Sequence, residues 1–175
     1  MAIPVTLEDA RRQIRLEVDD TSRDADLVTY IYDAAAWVED YTGHLLDRRE
    51  VTQAAYGVAT VFLRAWPVAS GSTITAAYVD ANGDLVPALG GRLDARKRPA
   101  RFLPPRTGTP FCGDFTYEVT VVAGYARPAD VPPNIKRAML VLIAAYDADR
   151  EGGELLKAAI KTAEGLCQRL RLRRL

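Results

Sequence analysis

Histidine is nearly missing from this sequence. His44 is the only one in 175 residues, which excludes a metal site built on two histidines and leaves one imidazole for any acid–base chemistry. It falls just past a predicted helix end, where a surface side chain interacting with the helix dipole is the expected role. Cysteine is scarce too: Cys112 and Cys167 are far apart and form no ligand-spaced pair. They are read as two incidental thiols in a reducing compartment, with a disulfide as the weaker alternative. Net charge is absent, 23 Lys and Arg against 23 Asp and Glu, so no overall field draws the molecule to nucleic acid or to an anionic membrane. No apolar run approaches the roughly 20 residues that span a bilayer, and MAIPVTLEDARR has neither a basic lead nor an apolar signal core, so the protein is expected to be made and kept in the cytoplasm. GxSxG, GxxxxGK[ST] and HExxH are all missing. An enzyme is therefore not expected.

What is present is unevenly distributed. Residues 1–50 hold 12 acidic against 6 basic side chains, whereas residues 157–175 hold six basic residues and only Glu164 as an acid. Ends of opposite sign suit a protein that stacks on copies of itself or on a partner. Two solvated helix faces explain the same pattern equally well.

Thr6, with Asp9 three residues on, predicts a capped helix whose face is Leu7, Ala10 and Ile14. A polar connection through Asp19, Asp20, Thr21, Ser22 and Asp24 lacks the order of a calcium loop and is read as capping and solvation. Leu27, Ile31, Ala34, Val38 and Tyr41 then mark a second helix that stops at Gly43. From Arg48 to about Tyr125 the texture becomes β. TITAAYVD and LVPAL form a hairpin whose tight turn takes positive φ from Asn82-Gly83, and FTYEVTVVAGY, residues 115–125, is the strongest strand. Residues 95–110, with four prolines and five basic side chains, are predicted to be an exposed loop.

Helix returns at Pro132-Pro133, with an apolar run from Ala138 to Tyr146 that goes nearly all round and marks the buried helix. After Gly152-Gly153 a last helix carries Leu155, Ala159, Thr162, Leu166 and Leu170 on one stripe and ends in RLRLRRL. The fold class is α+β: an N-terminal helical hairpin, central antiparallel β hairpins, and two C-terminal helices packed with the N-terminal ones. One domain over 1–175 is expected, helical at 1–45 and 130–175 and β at 46–128. Helical carboxylates at Glu39-Asp40 and at Asp147 and Asp149 are read as solvated.

Two stretches together resemble the gp6-like head-tail connector (adaptor, or head-completion) family of long-tailed phages and gene transfer agents. One is VTLEDARRQIRLEVDDTSRDADLVTYIYDAAAWVEDYTG, a capped helix, an acidic loop and a helix with a Tyr-Thr-Gly stop. The other is VAGYARPADVPPNIKRAMLVLIAAYDADREGG, with Gly-Tyr, Val-Pro, Ile-Lys-x-Ala and a Leu-rich helix. The hairpin element YVDANGDL between them fits as well, while the Pro-Arg-rich β region and the basic tail depart from the family pattern. The resemblance implies a virion subunit at the head-tail interface that forms a dodecameric ring under the portal protein. Such a ring extends the channel for double-stranded DNA without sequence readout and presents a surface to a tail-side connector or tail terminator. It implies no catalysis, no cofactor, no metal and no membrane.

Within that frame Arg96, Lys97, Arg98 and Arg101 are candidates to face the DNA channel, with a solvated loop as the equal alternative. Leu166, Arg169, Leu170, Arg171, Arg173 and Arg174 are candidates for docking on the portal or a neighbouring subunit. Two rivals remain: a small DNA-binding protein gripping phosphates with the 95–106 loop including Arg106, and a small hydrolase acting through Cys112 or His44.

Overall fold

The computed structural model describes residues 3–17, 20–57, 59–69, 71–80, 82–105 and 116–172. They form two compact units, Met1–Asp47 with Tyr125–Leu175, and Arg48–Gly124.

The first unit is helical. Helix α1 (Leu7–Gln13) opens on the predicted capping box: the Asp9 amide donates to Thr6 Oγ1 at 3.1 Å and the Thr6 amide to Asp9 Oδ2 at 3.2 Å. Helix α2 (Asp24–Thr42) buries Leu27, Ile31, Ala34, Ala35 and Val38, and ends where Gly43 turns left-handed at φ 72°. Helix α3 (Pro133–Ala148) starts with Pro133 in its first turn, where the missing amide proton costs nothing. Ile135, Ala138, Met139, Leu142 and Ile143 of α3 are all fully buried, so α3 is the centre of the core. Helix α4 (Glu154–Cys167) continues into a 3-10 turn, Gln168–Leu170.

Acidic residues near the N-terminus tie these helices together. Arg11 holds Asp24 through two bonds, Arg23 pairs with Asp147, Lys136 reaches Asp9 at 2.8 Å and Arg150 reaches Asp26 at 2.8 Å. Asp9, Asp24 and Asp26 of the acidic segment are thus paired within the unit.

The second unit holds two antiparallel sheets. The larger has the order β1 (Arg49–Tyr56), β7 (Thr116–Ala123), β3 (Ile74–Val79), β4 (Leu85–Ala88). Tyr117, Val119, Val121 and Ala123 of β7 are buried, as the alternation predicts, and Phe115 lies outside the described residues. The smaller has the order β2 (Val61–Phe62), β6 (Arg101–Leu103), β5 (Arg92–Asp94). Here the sequence reading needs correction. Residues 101–103 are a central strand, not an exposed loop, and Ala100 and Phe102 are fully buried. Pro99, Pro104 and Pro105 flank the strand without interrupting it, so no ladder amide is lost.

A second correction concerns the β3–β4 turn. Gly83 alone takes positive φ, at 89°, among the described residues of the turn. The Gly83 amide donates to the Asp80 carbonyl and the Asp80 amide to that of Asp84, giving a three-residue loop closed by glycine.

Candidate functional site

The basic residues singled out in the sequence are brought together only in part. Arg96, Lys97 and Arg101 line one open cleft of about 350 Å³ with Asp94, at the end of β5 and beside β6. Arg98 is half-buried and does not line it, and Arg106 lies outside the described residues.

Each of the three cations is positioned differently. Arg96 chelates Asp94, Nε to Oδ1 at 2.9 Å and Nη2 to Oδ2 at 3.1 Å. These bonds, with the Arg96 amide, hold the Asp94 carboxyl down at about 2. Arg101 lies 5.5 Å over the ring of Phe62, its register partner on β2, so its guanidinium is steered by a π face. Lys97 is exposed at the tip of the connection. A cleft lined by three cationic donors and one carboxylate that is already paired is suited to holding an oxyanion such as a phosphodiester.

The C-terminal candidates are distributed over the helical unit. Leu166 and Leu170 are half-buried and pack on the unit's own core. The Arg171 guanidinium sits 5.0 Å over the Tyr41 ring, which is itself stacked on Trp37 at 5.1 Å. Arg169 is exposed, and Arg173 and Arg174 lie outside the described residues. The predicted stripe on this helix holds in part: Ala159, Leu166 and Leu170 pack toward the core, Leu155 and Thr162 face solvent, and Ala163 and Cys167, outside the stripe, are buried.

The groups weighed for catalysis have structural roles. His44 is only 3% exposed, which corrects the surface placement; its Nδ1 is 2.6 Å from the Tyr125 hydroxyl and the two rings stack. Cys167 is buried, and burial pushes its thiol up to about 11, far from thiolate at neutral pH. Cys112 lies outside the described residues. Glu39 accepts the Leu46 amide at 2.7 Å, Asp147 pairs with Arg23, and Asp149 caps α4 by accepting the Gly153 and Leu156 amides at 2.9 and 3.2 Å. Among the described residues, no group of three His, Cys, Asp or Glu side chains is arranged to hold a metal ion, and no helix is long and apolar enough to cross a membrane.

One surface was not a sequence candidate. Val79, Leu85 and Leu89 are 61%, 63% and 86% exposed on the β3–β4 hairpin. The signal was available in YVDANGDLVPAL, where apolar residues occupy both parities of a strand that buries only one.

No family model and no curated protein matches this sequence. Solved structures do match along nearly its whole length. A chain of the virion of a native gene transfer agent particle superposes with a TM-score of 0.78 at 26% identity, over 98% of this chain and 91% of that one. A chain of the neck of an empty gene transfer agent particle, computed with C6 symmetry, gives 0.74 at 24% identity over 100% and 94%. A chain of the neck of a native particle, computed with C12 symmetry, gives 0.68 at 26% identity over 99% and 91%.

Proposed function

We propose that this chain is a structural subunit of the neck of a phage-like particle, a non-enzymatic adaptor of the head-tail connector kind. It takes its place in the virion between the portal of the head and the tail. The observation that carries this reading is the full-length likeness to gene transfer agent chains, the virion and the native neck at 26% identity, with nearly all of both chains covered. A shared module inside a larger machine would leave part of one chain unmatched.

In this role copies of the chain form a ring, dodecameric by analogy with the neck computed with C12 symmetry. Its partners are the portal protein, its own copies, a tail-side connector or terminator, and the DNA passing through. The helical unit supplies a rigid wall. The cleft of Arg96, Lys97 and Arg101 supplies phosphate-directed contacts to DNA without base readout, and the C-terminal segment around Arg169 supplies docking. A ring subunit uses unlike surfaces fore and aft, so its assembly depends on closure and on concentration.

Electron microscopy of the purified protein with and without the portal protein tests this. Rings that appear with the portal or at raised concentration are expected. A closed two-fold dimer as the sole species under both conditions rejects the adaptor role.

A further inference from the structure

The larger sheet of the second unit has one buried face; on its other face Thr52, Thr75, Thr116 and Thr120 occupy the middle, and the end nearest the β3–β4 turn is unusually apolar. Val79 and Leu85 oppose each other in register, Ala77 opposes Pro87 in the next row, and Leu89 follows β4. Ala54 and Tyr56 of β1 lie on the same side, Tyr56 at 57% exposure. The solvent face of an antiparallel sheet is ordinarily polar, and clusters of exposed large apolar groups mark contact surfaces. The charges on this face are both acids: Glu118, which opposes Ala77 on one side and Ala54 on the other, and Glu50 at the start of β1. Neither forms an ion pair among the described residues.

Helix α4 has the complementary pattern. Away from its buried side it shows solvent Leu155, Ala158, Lys161, Thr162, Gly165 and then Arg169, and the acid beside them, Glu154, is held by Lys157 at 2.8 Å. Leu155 is 53% exposed, and a side chain at Gly165 would meet nothing within 4 Å, so this face is smooth and open to close approach. Lys161 and Arg169 have no ion-pair partner among the described residues. The lengths agree. From Leu155, Lys161 is about 9 Å and Arg169 about 21 Å along the helix. From the Tyr56 row of the sheet, Glu118 is about 7 Å and Glu50 about 20 Å along the strands.

We propose that this sheet face seats α4 of a neighbouring copy of the chain, with Leu155 on the row that runs from Tyr56 through Val79 to Leu85, Lys161 at Glu118 and Arg169 toward Glu50. The proposal rests on the ring reading above and deepens it by naming the contact between subunits. It uses two different surfaces per chain, as a cyclic ring requires. Charge complementarity selects the occupant: the outward side of α2 also shows Val28 and Tyr32, but carries Asp33 and Asp40, which the sheet's carboxylates would repel.

The test is charge reversal with rescue, in the full-length chain with the portal protein, read by sedimentation and electron microscopy. Glu118→Lys and Lys161→Glu should each weaken ring formation on the order of a hundredfold while melting like the native protein, and the double variant should recover it. Leu85→Asp should fail to assemble in any background. If the single variants form rings as the native chain does, the seat is wrong and the ring reading stands. If they fail and the double variant does not recover, the face is used but its occupant is not α4. If the native chain forms no ring with the portal, the ring reading fails and this contact with it.

Discussion

Single residues decide where the short elements begin, and Thr6 and Asp9 show how. Helix α1 is only seven residues long and cannot hold itself together without a cap and a neighbour. Thr6 supplies the cap and Asp9 does double duty, closing the capping box and accepting Lys136 from α3 at 2.8 Å. Thr6→Ala should lower stability by about 1 kcal/mol, measured as a shift in urea midpoint at unchanged slope. The bond from Lys136, with those from Thr6, holds the Asp9 carboxyl below its ordinary 3.8. A carboxylate favoured in the folded state stabilises it fully above the unfolded value and loses that contribution as pH falls through the folded value. The gap between native and Lys136→Met midpoints should therefore be constant near neutrality and shrink below about pH 3.8, the reference value for an unperturbed aspartate. A gap that does not change down to pH 2 would mean the bond from Lys136 contributes nothing.

At the scale of elements, the sequence was most legible where one strong period coincided with local punctuation. Helices α1, α2 and α3 combine apolar spacing with Thr6, Gly43 and Pro133, and the structure places all three where the pattern puts them. Helix α4 and the turn after it are legible only in part, because the fully buried positions are small residues. Ala163 and Cys167, which are buried, give a weaker signal than Leu155, which faces solvent, while Ala159, Leu166 and Leu170 of the predicted stripe do pack on the core. Strand β6 was illegible for a different reason: three residues between prolines carry no period, and only the partner strands β2 and β5 reveal it. The basic candidates were found as a set, yet Arg98 separates from the cleft because its side chain turns inward by an amount that spacing cannot report. Gly91 shows how tightly this small sheet is built. It takes φ 94°, and a β-carbon there would lie 2.4 Å from the Phe102 ring. Gly91→Ala should cost roughly 2 kcal/mol or more through strain and overpacking, visible as a lower thermal midpoint. An unchanged midpoint would show that Phe102 has room to move.

At the scale of the whole molecule, a net charge of zero means that any DNA contact of the proposed kind has to be local. In the proposed ring, a genome that slides through needs attraction that is weak and independent of sequence, and one cleft per subunit repeated around an axis would supply it. Within the cleft the three cations are not equivalent. Asp94 already holds Arg96, so Lys97 and Arg101 are the freer donors and Arg96 acts mainly to keep the connection in place. Each phosphate contact removed should lower the salt slope of binding by about 0.9 for duplex DNA. Lys97→Ala with Arg101→Ala should therefore reduce the slope measured on assembled rings by about 2 for every subunit in contact with the duplex. Arg96→Ala alone should change it less, because the same substitution frees the Asp94 carboxylate. The isolated subunit should bind duplex DNA too weakly for either change to register. Fluorescence anisotropy of labelled duplex across a salt series, on rings and on subunits, measures all three. Equal slopes for native and doubly substituted rings, or a ring structure with Lys97 and Arg101 on its outer wall, would remove the cleft from the DNA path.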